Sequence, residues 1–375
     1  MKKEKNFNNP DNKTRILIAP LDWGLGHATR CIPIIKEFIL HGCEVFIVAD
    51  KKNFSLLKKE FPSTVFLRYP GYEIEYSYSK RFFGLKLLYQ FPKVIFKMFK
   101  EKKWLCRIIK EHSIDAVISD NRLGMYSGKI PSVYITHQLC IKTGNPLTEA
   151  IAQRIHYFFI KKYKYCWVPD SKKNGLAGAL SHPKKIPSNV VYIGPLSRFE
   201  LLSNVEEIYD LLVTISGPEP QRTLFENQIL KQLNTFSGTV FLIRGLPSES
   251  VVPAAFEGSI KTENHLPANE LNKIIAESKM IISRSGYTSV MDFALMKKKA
   301  ILIPTPGQTE QEYLAKYLLE KGYFLSTKQK DLSIKNALEI CESFSFKTID
   351  PCDEKYKKVI SEFVLSLKSG NFATQ

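Results

Sequence analysis

The sequence predicts an α/β protein of two parallel-sheet domains with a cleft between them, and three observations predict it. The chain has 375 residues, more than one hydrophobic core usually supports, so two domains are expected. Short apolar runs alternate with helical patterns from Arg15 onward, which implies parallel strands with helices on both faces. The same alternation restarts after residue 205.

Taken in order, Ile16-Leu17-Ile18-Ala19 is a strand, Ala28 to Leu40 a helix that stops at Gly42, and Val45-Phe46-Ile47-Val48 the next strand. Val65-Phe66-Leu67, Ala116-Val117-Ile118 and Val133-Tyr134-Ile135 continue the first sheet. Val190 to Arg198 is a strand that runs into a Gly-Pro turn. The second sheet is expected from Leu211 to Ile215, Val240 to Ile243, Met280 to Ile282 and Ala300 to Ile303. The boundaries that follow are a disordered lead-in over 1–14, a first domain over 15–200, a second domain over 205–350, and a tail over 351–375. The tail carries a helix, roughly Lys355 to Leu367, placed to pack back on the first domain.

Composition narrows the function. Lys and Arg number 54 against 37 Asp and Glu, a net charge of +17 that suits an anionic partner: a nucleotide, a nucleic acid or an acidic lipid surface. The 7 cysteines are scattered and form no Cys-x-x-Cys, so neither a disulfide framework nor a structural zinc site is expected. The polar N-terminus has no apolar stretch that would make it a signal peptide. A cytoplasmic protein follows.

Three loops carry candidate chemistry. The first, Pro20 to Arg30, follows the first strand and brings Asp22, Gly24, Gly26, His27 and Arg30 together. Its glycines admit close approach to the backbone, and His27 at a helix N-terminus stays a neutral base suited to activating a hydroxyl. Gly24-x-Gly26-x-x-Thr29 with Asp50 also half-matches a dinucleotide fingerprint, but the third glycine is missing. The second loop, Ile215 to Arg222, ends a strand in Ser216-Gly217 and begins a helix nearby, a phosphate cradle to which Arg222 adds charge. The third runs from Ile281 through Ser285, Gly286, Ser289 and Asp292 to Gln308 and Gln311. Its turn aims backbone N–H groups at one point, and the acid two helical turns on is placed to take two sugar hydroxyls.

This order of residues resembles the GT-B glycosyltransferases, with two Rossmann-like domains facing across a cleft. The closest resemblance is to the family of the N-acetylglucosaminyltransferase that makes the peptidoglycan lipid intermediate, glycosyltransferase family 28. The resemblance places Gly24 and Gly26 beside the phosphates and His27 as the base. It places Ser216, Gly217, Ser285, Gly286 and Ser289 at the diphosphate, with Asp292 as ribose ligand where relatives carry Glu. Gln308 and Gln311 fall near the donor sugar; Glu310 stands where relatives have His. Arg244, His265 and Leu266 lie on loops at strand ends on the same side, the last two matching the loop that reads the base. Asp120 and His137, at the ends of two first-domain strands, are expected to orient the acceptor or to serve as alternative bases.

The expectation is an inverting transfer from a nucleotide-sugar donor, a UDP-sugar first, to an acceptor hydroxyl, with no cofactor. No Asp-x-Asp supplies the usual carboxylate pair for a divalent ion, so no metal is expected either. Residues 80–110 carry ten basic residues against Glu101, interleaved with aromatics, and suit an anionic membrane surface; a lipid-linked or cell-envelope acceptor and a peripheral place on the inner face of the membrane would follow. The rivals are a nucleotide-sugar epimerase of the same fold and a basic membrane-surface or nucleic-acid module, the latter without the rest of a known nucleic-acid motif.

Overall fold

The computed structural model describes residues 13–22, 25–71, 83–142, 145–247, 260–349 and 354–370. The chain divides into two units. One comprises Met1–Gly175, Ala179–Leu196 and Asp353–Gln375; the other comprises Leu176–Gly178 and Ser197–Cys352.

In the first unit, β1 (Arg15–Pro20), β2 (Glu44–Val48), β3 (Val65–Leu67), β4 (Ala116–Asp120), β5 (Ser132–Ile135), β6 (Tyr165–Val168) and β7 (Val190–Tyr192) form one parallel sheet, in the order β3-β2-β1-β4-β5-β6-β7. Strands β1, β4 and β5 are buried almost end to end, as continuous apolar runs in parallel sheets should be. Helix α1 (Leu25–Leu40) follows β1 and closes at Gly42, whose φ of 76° lets the Cys43 N–H reach back to the Phe38 carbonyl at 3.1 Å. Next come α2 (Lys51–Glu60), α3 (Phe83–Glu111) and α4 (Pro146–Ile160). Leu105 and Ile108 of α3 cover Leu17, Ala19 and Val117 of the sheet. Asn145 caps α4, accepting from the Leu147 and Thr148 nitrogens.

In the second unit, β8 (Tyr209–Thr214), β9 (Val240–Ile243), β10 (Ile260–Glu263), β11 (Ser278–Ser283), β12 (Ala300–Leu302) and β13 (Leu325–Ser326) form a parallel sheet ordered β10-β9-β8-β11-β12-β13. Its helices are α5 (Gln221–Leu233), α6 (Ala268–Ala276), α7 (Tyr287–Leu295), α8 (Thr309–Glu320) and α9 (Ile334–Ser343). Phe225, Ile229 and Leu233 of α5 pack with Leu211, Val213, Leu242, Ile282 and Ile301 of the strands. The last helix, α10 (Lys355–Lys368), belongs to the first unit. Its Phe363 ring meets Phe38 at 6.3 Å and Trp167 at 5.5 Å.

Both sheets reverse their strand order once, between β1 and β4 and between β8 and β11. At such points loops diverge to opposite faces and leave a crevice at the carboxyl ends of the strands. The strands expected from apolar runs are present, and the doubly wound α/β class agrees with the sequence. Strands β6 and β13 were not legible: the first lies among lysines and tyrosines, and the second is two residues long.

Candidate active site

The carboxyl ends of β1, β4 and β5 bring one polar cluster together. His27 enters from the first turn of α1, Arg30 from one turn later, Asp120 from the last position of β4, and His137 from the loop after β5. Asp120, Arg30 and His137 are buried, whereas the His27 side chain keeps 16% of its surface. Arg30 grips Asp120 with two nitrogens, Nε to Oδ2 at 2.8 Å and Nη2 to Oδ1. Arg30 Nη1 reaches His137 Nδ1 at 2.9 Å. His27 Nδ1 lies 3.1 Å from Asp120 Oδ2 and 2.9 Å from Arg30 Nη2.

Proton logic assigns these groups. A guanidinium only donates, so Nδ1 of His137 accepts and the proton of that ring is on Nε2. Burial would raise the Asp120 carboxyl, but Arg30 and His27 outweigh it and hold the carboxyl at about 2. Burial also lowers His27, only partly opposed by Asp120, so the imidazole is neutral at pH 7. Asp120, fully enclosed, touches a ligand only through its neighbours. Gly24 lies outside the described residues; Gly26 accepts from the Thr29 hydroxyl at 3.0 Å.

In the second unit the ends of β8 and β11 adjoin, bridged by Thr214 Oγ1 donating to Ser283 Oγ at 2.8 Å. Ser216 and Gly217 are exposed after β8. The loop after β9 comes so close that a Cβ on Gly245 would overlap the Ile215 carbonyl, and Gly245 has a φ of 70°. Gly286 caps α7 with open space where a side chain would be, and Ser289 on the first turn of that helix is half-buried. The Ser285 hydroxyl turns away to the Gln311 carbonyl at 2.9 Å. Gln311 organises the loop after β12: its Oε1 accepts from the Thr305 nitrogen at 2.9 Å and its amide donates to Gln308 Oε1. His265 is half-buried and Leu266 buried after β10, in a loop tied to the β9 loop by Leu246 N donating to Asn264 O at 2.8 Å.

Two expectations meet a different geometry. Arg222 and Arg244 are not loop cations turned to a ligand. Both bind buried Glu226, Arg222 through Nη1 at 2.9 Å and Arg244 through Nε; Arg222 also holds Glu219, and Arg244 holds Asn264. Asp292 is not an open carboxylate. It is 6% exposed, accepts from the Ser197 hydroxyl at 2.5 Å, and is raised by burial to about 7, with Arg198 opposing. The sequence reading also passed over Glu226, Ser197 and Arg284. The i, i+4 spacing of Arg222 and Glu226 was the one available signal.

Comparison with known proteins now bears on the fold. Residues 248–350 match the glycosyltransferase family 28 C-terminal domain. A protein described as an uncharacterized glycosyltransferase of Methanosarcina acetivorans is 24% identical over 342 residues, 82% of either chain. Among solved structures, MurG of Acinetobacter baumannii superposes with a TM-score of 0.53 at 14% identity, over 96% of this chain and 99% of that one. The spinosyn rhamnosyltransferase SpnG complexed with thymidine diphosphate gives 0.57 at 12% identity, over 95% and 96%. Its doubly wound sheets, the match within its second unit and relatives that align over most of its length make the chain similar to the family-28-like glycosyltransferases, with the GT-B fold.

Proposed function

We propose that this glycosyltransferase moves a sugar from a nucleoside diphosphate donor, a UDP-sugar first, to an acceptor hydroxyl, with inversion and without a metal. The observation that carries the reading is the His27 and Asp120 pair at the crossover of the first sheet. His27 Nδ1 faces a donor in Arg30 Nη2 and an acceptor in the Asp120 carboxylate, so the two contacts call for opposite tautomers; in the one that gives its Nδ1 proton to Asp120, Nε2 keeps its lone pair for the acceptor. As the acceptor oxygen bonds to the anomeric carbon, Nε2 takes its proton and the bond to the diphosphate breaks on the opposite face. One displacement inverts that carbon. Asp120 steadies the imidazolium formed, and Arg30 keeps Asp120 ionised. His137, its Nδ1 occupied, positions Arg30 rather than acting as base.

The donor falls to the second unit. Backbone N–H groups at Ser216-Gly217 and at Ser285-Gly286, with the N-terminal ends of α5 and α7, stabilise the departing diphosphate. Arg222 and Arg244 shape these loops through Glu226, while Asp292 takes the ribose once Ser197 yields. His265, Leu266, Gln308 and Gln311 border the base and sugar. The thymidine diphosphate complexed with the similarly folded SpnG supports a nucleotide ligand. A lipid-linked acceptor fits the exposed aromatic and basic face of α3, and a peripheral place on the inner membrane face goes with it. No described helix is long and apolar enough to cross a membrane.

The test is a thermal-shift panel of nucleotide sugars followed by acceptor-dependent release of nucleoside diphosphate from the best of them. His27→Ala should leave diphosphate binding intact and lower turnover by about 10²–10⁴-fold. Surviving turnover in that variant removes His27 as base, and conversion of the sugar without an acceptor indicates an epimerase.

A further inference from the structure

Arg284, directly after β11, is 1% exposed and has no carboxylate partner among the described residues. Among the described residues its donors reach main-chain carbonyls alone, Nη2 to Gln221 at 3.1 Å and Nη1 to Ile303 and Pro304 at 3.4 Å each, and its Nε has no acceptor. The guanidinium lies 3.9 Å over the Phe225 ring. Neighbouring acids are already taken: Glu219 pairs with Arg222, and Glu226 with Arg222 and Arg244. Among the described residues, three guanidiniums at this end of the second sheet thus face two carboxylates, and Arg284 holds the unbalanced charge.

Its position sharpens the imbalance. Gln221 opens α5, so Arg284 sits at the positive pole of that helix, and it precedes by two residues the Gly286 cap of α7. A helix N-terminus disfavours a cation and favours an anion. A buried charge in such a place is costly unless an opposite charge completes it.

We propose that Arg284 is the fixed counter-charge for the anionic group of the ligand bound at the ends of β8 and β11, a diphosphate, and that this ligand completes a charge balance the protein leaves open. The inference rests on the donor reading above. Arg284 acts from beneath the turn: it holds the first turn of α5 and the end of β12 by their carbonyls and supplies positive potential to Ser285 and Gly286. The lone pairs of Ser216 and Ser285 could not do this, and Arg222 and Arg244 are already neutralised.

Calorimetric titration of UDP and thymidine diphosphate, each against its nucleoside, separates charge from architecture. Arg284→Gln should lose about ten- to a hundredfold in diphosphate affinity while nucleoside affinity holds. Arg284→Lys should recover most of that loss. Equal losses for diphosphate and nucleoside would make Arg284 a structural clamp only, and unchanged diphosphate affinity would remove it from the site. Should Arg284→Gln not fold, the wild-type protein decides: inorganic pyrophosphate alone should raise its melting temperature and compete with the diphosphate, and failure to do either overturns the proposal. If wild type binds neither diphosphate, the donor reading itself falls; if it binds them without discriminating against the nucleosides, only the role of Arg284 falls.

Discussion

His27 and Asp292 show what burial does to a single titratable group, in opposite senses. The His27 imidazole is lowered from 6.5 and works as a base only when neutral, so activity should persist below pH 6.5 and fail as acid protonates the ring. A kcat/KM profile whose acid limb lies above pH 6.5 would contradict this. Asp120, held at about 2 against 3.8, contributes about 2 kcal/mol of stability that is complete above pH 4 and lost as pH falls toward 2. Asp292 has the reverse sign. Its folded value of about 7 exceeds 3.8, so the folded state binds the extra proton and stability declines as pH rises from 4 to 7. Asp292→Asn should therefore stabilise the fold at pH 8, by about 4 kcal/mol at most, and change little at pH 4. If Asp292 holds ribose, the same variant should lose about ten- to a hundredfold in nucleotide affinity. Unchanged affinity for every nucleotide would take Asp292 out of the site.

Among elements, α10 shows how a distant segment supports the first sheet. Phe363 is buried against Phe38 of α1 and Trp167 of β6, so the C-terminal helix seals the helix that carries His27. Phe363→Ala should cost the first unit about 3–5 kcal/mol, the range for a buried aromatic cut to Ala. Trp23, Trp104 and Trp167 all belong to that unit, so tryptophan fluorescence during urea unfolding reports on it alone. A transition midpoint equal to wild type would mean that α10 packs without stabilising. The loops after β8 and β9 are coupled differently, by the contact between Gly245 and the Ile215 carbonyl. There the element boundary, not a side chain, shapes the turn.

Across the whole molecule, the charge of +17 has a dense basic stretch in 80–110, which holds ten basic residues against Glu101. Phe96 and Phe99 are 60% and 71% exposed, with Lys93, Lys100, Lys103 and Arg107 exposed around them at helical spacing. Ile95 and Met98 of α3 share a cluster with Phe159 of α4, which exposes Leu147, Ile151 and Phe158. Exposed aromatics with basic neighbours of this kind suit an anionic bilayer. Vesicle binding should rise with the acidic lipid fraction and fall with salt, each basic residue near the surface contributing about 1 kcal/mol. Replacing Lys93, Lys100 and Lys103 with Glu should abolish it while nucleotide binding is retained. Lys97 is left alone because it donates to the Gly71 carbonyl at 3.1 Å. Equal partitioning of wild type and variant would leave the face merely solvated.

By itself the sequence determined the doubly wound class and the strand ends at which ligands gather. Buried parallel strands such as Ile16 to Ala19 are unbroken apolar runs, and turns such as Ser216-Gly217 and Ser285-Gly286 are local chemistry. Partners were left to the tertiary structure. His27, Arg30, Asp120 and His137 are scattered over more than a hundred positions and meet because parallel register sets the ends of β1, β4 and β5 side by side. Arg222, expected to face a phosphate, and Arg244, expected on the donor side, turn instead to Glu226, and Asp292 is enclosed by a serine 95 positions away. Spacing along a chain fixes which face of a helix or strand a side chain occupies, but a buried charge is answered by whatever the fold brings near it.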